Sequence, residues 1–528
     1  MAPPRHPLRR SLDAARGPSG RRKMSLRPLL CSVTLALAGC TTLGPDFTPP
    51  RTDWEEGWTS PTLARLAPPP GGADNTLWWR QFKDPALDAL ISAAMAENRD
   101  LKVSGLRVLE ARAQLGIANA GLKPQLIEGT ASAGYGANAP DFAPIGKSDF
   151  AFASAGANAA WELDFWGRFR RGVESADANY FASTANFDDF AIILRAEVAR
   201  LYISYRTTEA QLKITQDNAA LQKRSVEITE VLFRNGAEGE LDVVQARTQY
   251  LATIAAIPQL EAGLQQTRNA ITELLGRPPG PLPELALGPQ ALPTTPAGIT
   301  LELPADLLRR RPDVRAAAYR AAAQSAQIGI AQSELYPSLA LTGSIGVTTT
   351  SLGGASNIVT LGVGPALRWN LFDFGRIHGN VQVQDARLEQ ALQAYQQQVV
   401  SAAREVDSAA IAFVKSHEED VILDQSQQAA KRALDIAQTG YREGFNDFQR
   451  VLDAQAALFR QQESFVINRG QHASDLIAVY KAIGGGWLPS AEGDYADAET
   501  RARMRARSNW GRLLDAPAAP APQDAAHP

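Results

Sequence analysis

Five histidines and two cysteines are the side chains of widest chemical reach in this chain of 528 residues. The histidines, His6, His378, His417, His472 and His527, have neither HxxxH nor HExxH spacing. No Walker-type glycine loop and no Gly-x-Ser-x-Gly elbow accompanies them. His417 stands beside Glu418, Glu419 and Asp420, a run rich in metal-binding atoms. Consecutive helical residues point to different sides, so the run reads as a solvated helix face. The pattern carries no catalytic constellation and calls for no metal or soluble cofactor. What remains is one thiol in an unusual setting, Cys40.

A basic segment with Arg21, Arg22, Lys23 and Arg27 leads into an apolar run, Leu29 to Ala38, and then Gly39 and Cys40. Basic, apolar, then small residues is the order of a secretory signal peptide, and the run is about half of the ~20 residues a spanning helix needs. Leu37-Ala38-Gly39-Cys40 resembles a bacterial lipobox. That likeness implies cleavage after residue 39 and an S-diacylglycerol and N-palmitoyl group on Cys40. Thr41, in place of an acidic residue, implies delivery to the outer membrane. Residues 1–39 are thus expected to be removed, with Met24 as an alternative start, and 40–85 to form a lipidated N-terminal segment. Cys31 lies within the signal, so the mature chain has no disulfide. Losing residues 1–39 removes eight basic side chains and one acidic, taking the net charge from -3 to about -10. Such a balance disfavours nucleic acid as a partner. No long apolar run follows the signal, so any passage through a membrane must be made by strands.

The elements around these residues are written twice. Ala113 to Leu126 returns as Ala326 to Leu339 at an offset of 213, each with a proline near its end, Pro124 and Pro337. Phe165-Trp166-Gly167-Arg168 matches Asp373-Phe374-Gly375-Arg376 at an offset of 208, which persists to Leu275-Gly276 against Ile483-Gly484. Two structural repeats are expected, 86–290 and 291–489, followed by a disordered Ala/Pro-rich tail, 490–528.

Within each repeat the hydrophobic period changes. Residues 86–122 read as one helix. After Pro124 and Pro337 the pattern alternates. Leu339, Leu341, Ile345 and Val347 point one way, and Ala340, Thr342, Ser344 and Thr348 the other. Strands are predicted at 126–136, 150–163, from Leu339, and at 358–369, each near the length that crosses a bilayer. Residues 170–235 contain no proline and predict a helix of roughly 100 Å, with Leu194, Val198, Leu201, Tyr205 and Leu212 at coiled-coil spacing. A second such helix is predicted over 376–442. Reversals fall at Arg234-Asn235-Gly236 and Arg442-Glu443-Gly444. Four strands cannot close a barrel, and an open edge in lipid is costly, so copies must associate. Two copies give eight strands and three give twelve; strand arithmetic alone does not choose.

The chain resembles the TolC family of outer-membrane factors, in the lipoprotein branch that includes OprM and NodT. Cys40 with Gly44-Pro45-Asp46-Phe47 carries the likeness, as do Trp78-Trp79-Arg80-Gln81-Phe82-Lys83-Asp84-Pro85 and Leu303 to Arg315. Lys481 to Trp487 closes it. The resemblance implies an α+β membrane protein, a homotrimer whose β-barrel of four strands per subunit continues as an α-helical coiled-coil tube into the periplasm. It implies a passive exit channel, not an enzyme, for drugs or other small toxic compounds. The duct would couple through a periplasmic adaptor to an inner-membrane pump of the proton-driven resistance-nodulation-division (RND) class. Two other readings remain: the outer-membrane channel of a type I secretion system, and a periplasmic coiled-coil scaffold lipoprotein.

The same likeness assigns roles at the far end of the tube. The turns at Arg234, Gly236, Arg442 and Gly444 would dock the adaptor. Asp242, Tyr441, Arg450 and Asp453 would form the periplasmic gate, with Tyr441 hydrogen-bonded to Asp242. Arg450 stands where the family has an acidic residue. With Asp453 it lies at i,i+3, a mixed-charge pair able to form salt bridges.

Overall fold

The computed structural model describes residues 41–49, 76–138, 148–295, 310–351, 356–486 and 495–514. The expected signal peptide and Cys40 lie outside them. Two helices, α1 (Pro85–Glu97) and α2 (Arg99–Ala120), precede a hairpin of β1 (Leu126–Asn138) and β2 (Ser148–Leu163). Two more, α3 (Arg168–Arg234) and α4 (Glu240–Leu274), complete the first half. From α2 onward the order recurs: α5 (Pro312–Ser333), β3 (Ser338–Thr350), β4 (Ser356–Arg368), α6 (Arg376–Arg442) and α7 (Phe448–Ala482). A last helix is α8 (Ala498–Arg507). Helices α3 and α6 each have 67 residues, and α4 and α7 each have 35.

The single helix expected over 86–122 is two. Asn98 ends α1 with its backbone N–H on the Ala94 carbonyl, and its side chain accepts from Leu101 N to start α2. An asparagine satisfying the orphan N–H groups of a new helix is a strong N-cap. The Nδ2 of Asn98 also donates to the Leu274 carbonyl at 2.8 Å, tying this corner to the end of α4.

Residues 78–85 form a knot at the waist of the molecule. Asp84 caps α1, with Pro85 at its first position. Asp84 also accepts the Tyr202 hydroxyl at 2.5 Å, and Tyr202 accepts from Arg206 Nε at 3.0 Å. Trp78 stacks on Tyr480 of α7 with ring centroids 5.2 Å apart. Around them α1, α3, α6 and α7 bury Leu87, Leu90, Val198, Ile203, Val406 and Leu476 in one apolar cluster. The waist is therefore the true core, above and below which the long helices continue.

The tail departs from expectation. Within 490–528 the described residues 495–514 fold back on α2, burying Tyr495, Met504 and Leu514 against Val108, Leu109 and Tyr180. Gly105 permits this contact, because a Cβ there would collide with the Tyr495 carbonyl oxygen. Arg112 Nη1 donates to the Leu513 carbonyl at 3.1 Å. Gly105→Leu is expected to release the segment, so that trypsin cuts at Arg503 or Arg507 while the rest of the folded chain stays resistant. Unchanged digestion in that variant would mean that the segment docks by other contacts.

Candidate functional site

The sheet has the order β1-β2-β3-β4, antiparallel throughout. Its register gathers side chains by face. Leu341 pairs with Trp161 and Pro365, Ile345 with Ala157 and Leu361, and Val347 with Ala155 and Val359. With Ile127, Ala131 and Tyr135 of β1, one face is apolar across all four strands. The opposite face carries Glu128, Ser132, Ser154, Asn158, Thr342 and Ser344. Asn158 donates to Glu128 at 3.2 Å, and the Ser132 and Ser154 hydroxyls are 2.7 Å apart. Val359, Leu361 and Val363 are 68%, 78% and 89% exposed, so water would meet a continuous apolar surface. One face for lipid and one for water, alternating residue by residue, is the pattern of a transmembrane strand. Among the described residues no helix is long and apolar enough to cross a membrane.

At the sheet's helix-connected end, residues 41–49 lie against the start of α3. Leu43 N donates to the Trp166 carbonyl at 3.1 Å. The buried Arg171 guanidinium donates to the Leu43 and Gly44 carbonyls and to Asp46. Thr42 packs over Gly167. Two residues before Thr42 comes Cys40, outside the described residues.

At the opposite end the helix reversals of both halves meet. Val226 of α3, Ala246 of α4, Leu434 of α6 and Phe448 of α7 share one cluster. Gly236 and Gly444 have φ of 74° and 79°, conformations that cost glycine nothing. Nothing stands within 4 Å of where their Cβ atoms would be. Phe445, in the second reversal, is 81% exposed.

The expected Tyr441–Asp242 bond is replaced. The Tyr441 hydroxyl donates to Glu238 Oε1 at 2.9 Å. Glu238 sits in the reversal itself and has one methylene more. The Asp242 carboxylate folds back toward its own helix start, 3.8 Å from where a Cβ on Gly239 would be. That position suits the positive end of the helix dipole. Burial, with the Glu238 hydrogen bond, pushes the Tyr441 phenol above its usual range, so it remains a donor at neutral pH. Arg450 and Asp453 do not pair within the chain. Arg450 Nε lies 3.9 Å from Asp447, the cap of α7, and Asp453 accepts from Gln449 at 2.9 Å.

A second polar centre was hidden in the arginine-rich stretch of the sequence. Arg311 forks onto Asp313 at 3.0 and 2.7 Å, reaches Glu405 at 2.8 Å, and donates to the Ala482 carbonyl. Lys481 completes it by donating to Glu405 at 3.0 Å. One guanidinium thus joins the start of α5, the middle of α6 and the end of α7. The run Arg309-Arg310-Arg311-Pro312-Asp313 signalled an ion-pair partner, but not which arginine. Among the described residues no group of His, Cys, Asp and Glu could hold a metal ion. His417 is exposed, its ring 5.3 Å from that of the buried His472.

The matched family model is that of the outer membrane efflux proteins, over residues 90–277 and 303–485. The chain belongs to this family. It is 29% identical over 477 residues to the pyoverdine export outer membrane protein OpmQ of Pseudomonas putida, covering 88% of this chain and 98% of that protein. It is 30% identical over 466 residues to the cation efflux system protein CusC of Escherichia coli, covering 86% and 97%. The solved outer-membrane channel OprN is similar with a TM-score of 0.77 and 32% identity, over 84% of this chain and 99% of that one. The chain is therefore an outer-membrane efflux channel.

Beside Arg311, Asp189 of α3 is desolvated and faces Asp313 and Glu405, while Arg311 and Lys481 oppose the effect. Its carboxyl is pushed up from 3.8 to about 6. A raised acid stabilises the fold while protonated, and that contribution is lost as pH rises through about 6. Asp189→Asn is accordingly expected to raise the thermal midpoint at pH 7.5, with the gain shrinking below pH 5. Equal midpoints for both proteins at pH 7.5 would contradict the assignment.

Proposed function

We propose that three copies of this chain form a closed twelve-stranded barrel continued by a helical tube. The duct is the passive outer-membrane exit of a tripartite efflux system. The observation that carries this reading is the four-stranded sheet with one apolar face, one polar face and two bare edges. An edge in lipid leaves N–H and C=O groups unpaired at several kcal/mol each, so closure requires other copies. Eight strands would enclose a barrel filled by side chains, whereas twelve leave an open lumen. The equal helix lengths of the two halves support an internal duplication arranged around that lumen.

Cys40 carries the lipid anchor in this reading, supported by the seating of Thr42 at the membrane-facing base of α3. The reversals at Arg234, Gly236, Arg442 and Gly444 dock the periplasmic adaptor, and an RND-class pump supplies cargo. The relatives' names differ in cargo, pyoverdine against cations, so cargo selection resides in the pump, and small toxic compounds are the class proposed here. Tyr441 and Glu238 act as a latch at the closed end, with Asp242 close by and Arg450 and Asp453 ringing the axis. A hydrogen bond to a carboxylate contributes about 1.5–3 kcal/mol, enough to bias a gate about tenfold when broken.

Purified chain is expected to form a trimer in detergent by native mass spectrometry and to conduct in planar bilayers. Tyr441→Phe with Glu238→Gln is expected to raise the open fraction about tenfold, and unchanged conductance in an assembled double variant would remove the latch from this end. Valine at Gly236 or Gly444 is expected to abolish drug efflux in cells while trimers still reach the outer membrane. Efflux surviving both substitutions would refute the docking role. Acyl labelling is expected to vanish in Cys40→Ser; label retained there would place the lipid elsewhere.

A further inference from the structure

The loop between β4 and α6 is the most exposed apolar segment described: Leu371, Phe372 and Phe374 are 65%, 89% and 104% accessible. Phe374 has φ of 52°, a conformation that bulky residues rarely adopt. Asp373 fixes it there by accepting from Gly375 N and Ile377 N at the start of α6. A rigidly presented phenylalanine with no contact of its own calls for a partner.

The first half of the chain supplies the template. Trp166, which matches Phe374 at the offset of 208, is not exposed in the same way. Its ring stacks on Tyr336 with centroids 4.6 Å apart, and its Nε1 donates to the Pro337 carbonyl at 2.9 Å. Tyr336 and Pro337 form the corner leading into β3, the strand beside β2. The offset of 213 places Lys123 and Pro124 in the same corner before β1. The corners are built alike. Glu334, Leu335 and Tyr336 donate backbone N–H groups to Ala331, Gln332 and Ser333, just as Gly121, Leu122 and Lys123 donate to Ala118, Asn119 and Ala120.

Trp166 thus follows one strand and packs on the corner that opens the next. Phe374 follows β4, at the edge of the sheet, where the chain has no next strand. Its own Lys123 corner opens β1 at the other edge, three strand spacings or about 14 Å away. We infer that Phe374 docks on the Lys123–Pro124 corner of a second copy of this chain. The ring covers the lysine stem and proline, with the ammonium near its face. The receiving surface is bare: Ile117 and Leu122 are 73% and 39% exposed, whereas Ile330, the counterpart of Ile117, is half-buried within the chain.

This contact rests on the trimer reading, and the experiment separates the two. Phe374→Cys and Lys123→Cys are combined in the full chain, isolated from membranes and treated with a short bis-methanethiosulfonate cross-linker. The expected result is loss of the monomer band on non-reducing gels to a ladder ending at three chains, absent from either single variant. Trp166→Cys with Tyr336→Cys reacts within one chain and leaves the band at monomer mass. Native trimers of the double variant without intermolecular linkage would overturn the contact and leave the channel reading standing. A wild-type chain that stays monomeric in the same detergent would overturn the trimer, and the contact with it.

Discussion

A strand edge cannot remain bare in a bilayer, and most of this molecule answers to that fact. The four strands pair among themselves but offer no route for β4 to meet β1 within one chain. Helix α6 meets a similar shortage, because it buries no side chain in its own chain between Ile377 and Tyr395 or between Ser416 and Leu434. In the proposed assembly, other copies of the chain meet both demands. The knot of Trp78, Asp84, Tyr202 and Arg206 and the fork of Arg311 then have an evident purpose. Asp84, Tyr202 and Arg206 brace the first half and Arg311 the second, while Trp78 stacked on Tyr480 ties one half to the other.

Much of this was legible because its signals are periodic. Alternation of Leu339, Leu341, Ile345 and Val347 against Thr342 and Ser344 predicted strands and their two faces, and the register joins those faces across the sheet. The proline-free run before Gly236 predicted the long helix to within two residues. What stayed illegible depends on single contacts. The segment 495–514 has apolar anchors only at Tyr495, Met504 and Leu514, too sparse for a period, and its seat exists because Gly105 lacks a side chain. Asn98 has the side chain of an N-cap, but the helical pattern on either side of it is continuous and hides the break. The partner of Tyr441 could not be chosen from spacing, since Glu238 and Asp242 are only four residues apart and the path of the reversal decides between them.

The polar centres divide their work by depth. Around Arg311, burial opposes the charge, yet Asp313 and Glu405 hold the guanidinium above its ordinary range. Removing one member would leave the others buried and unpaired, which makes the cluster a rigid fixture. At the helix reversals, Arg450 and Asp447 lie in water at 3.9 Å, where an ion pair contributes ~0–1 kcal/mol. Electrostatics are therefore firm at the waist and soft at the reversals.

The matching lengths of the helix pairs have a consequence for how such a chain can change over time. Adding one residue to α3 alone would lift its reversal by 1.5 Å and turn everything beyond by 100°. The reversal of α6 would stay where it was, and the shared cluster of Val226, Ala246, Leu434 and Phe448 would lose its alignment. Substitutions are free to accumulate separately in the two halves, but insertions and deletions in the long helices are tolerated only as matched sets. Length is inherited jointly, while sequence is not.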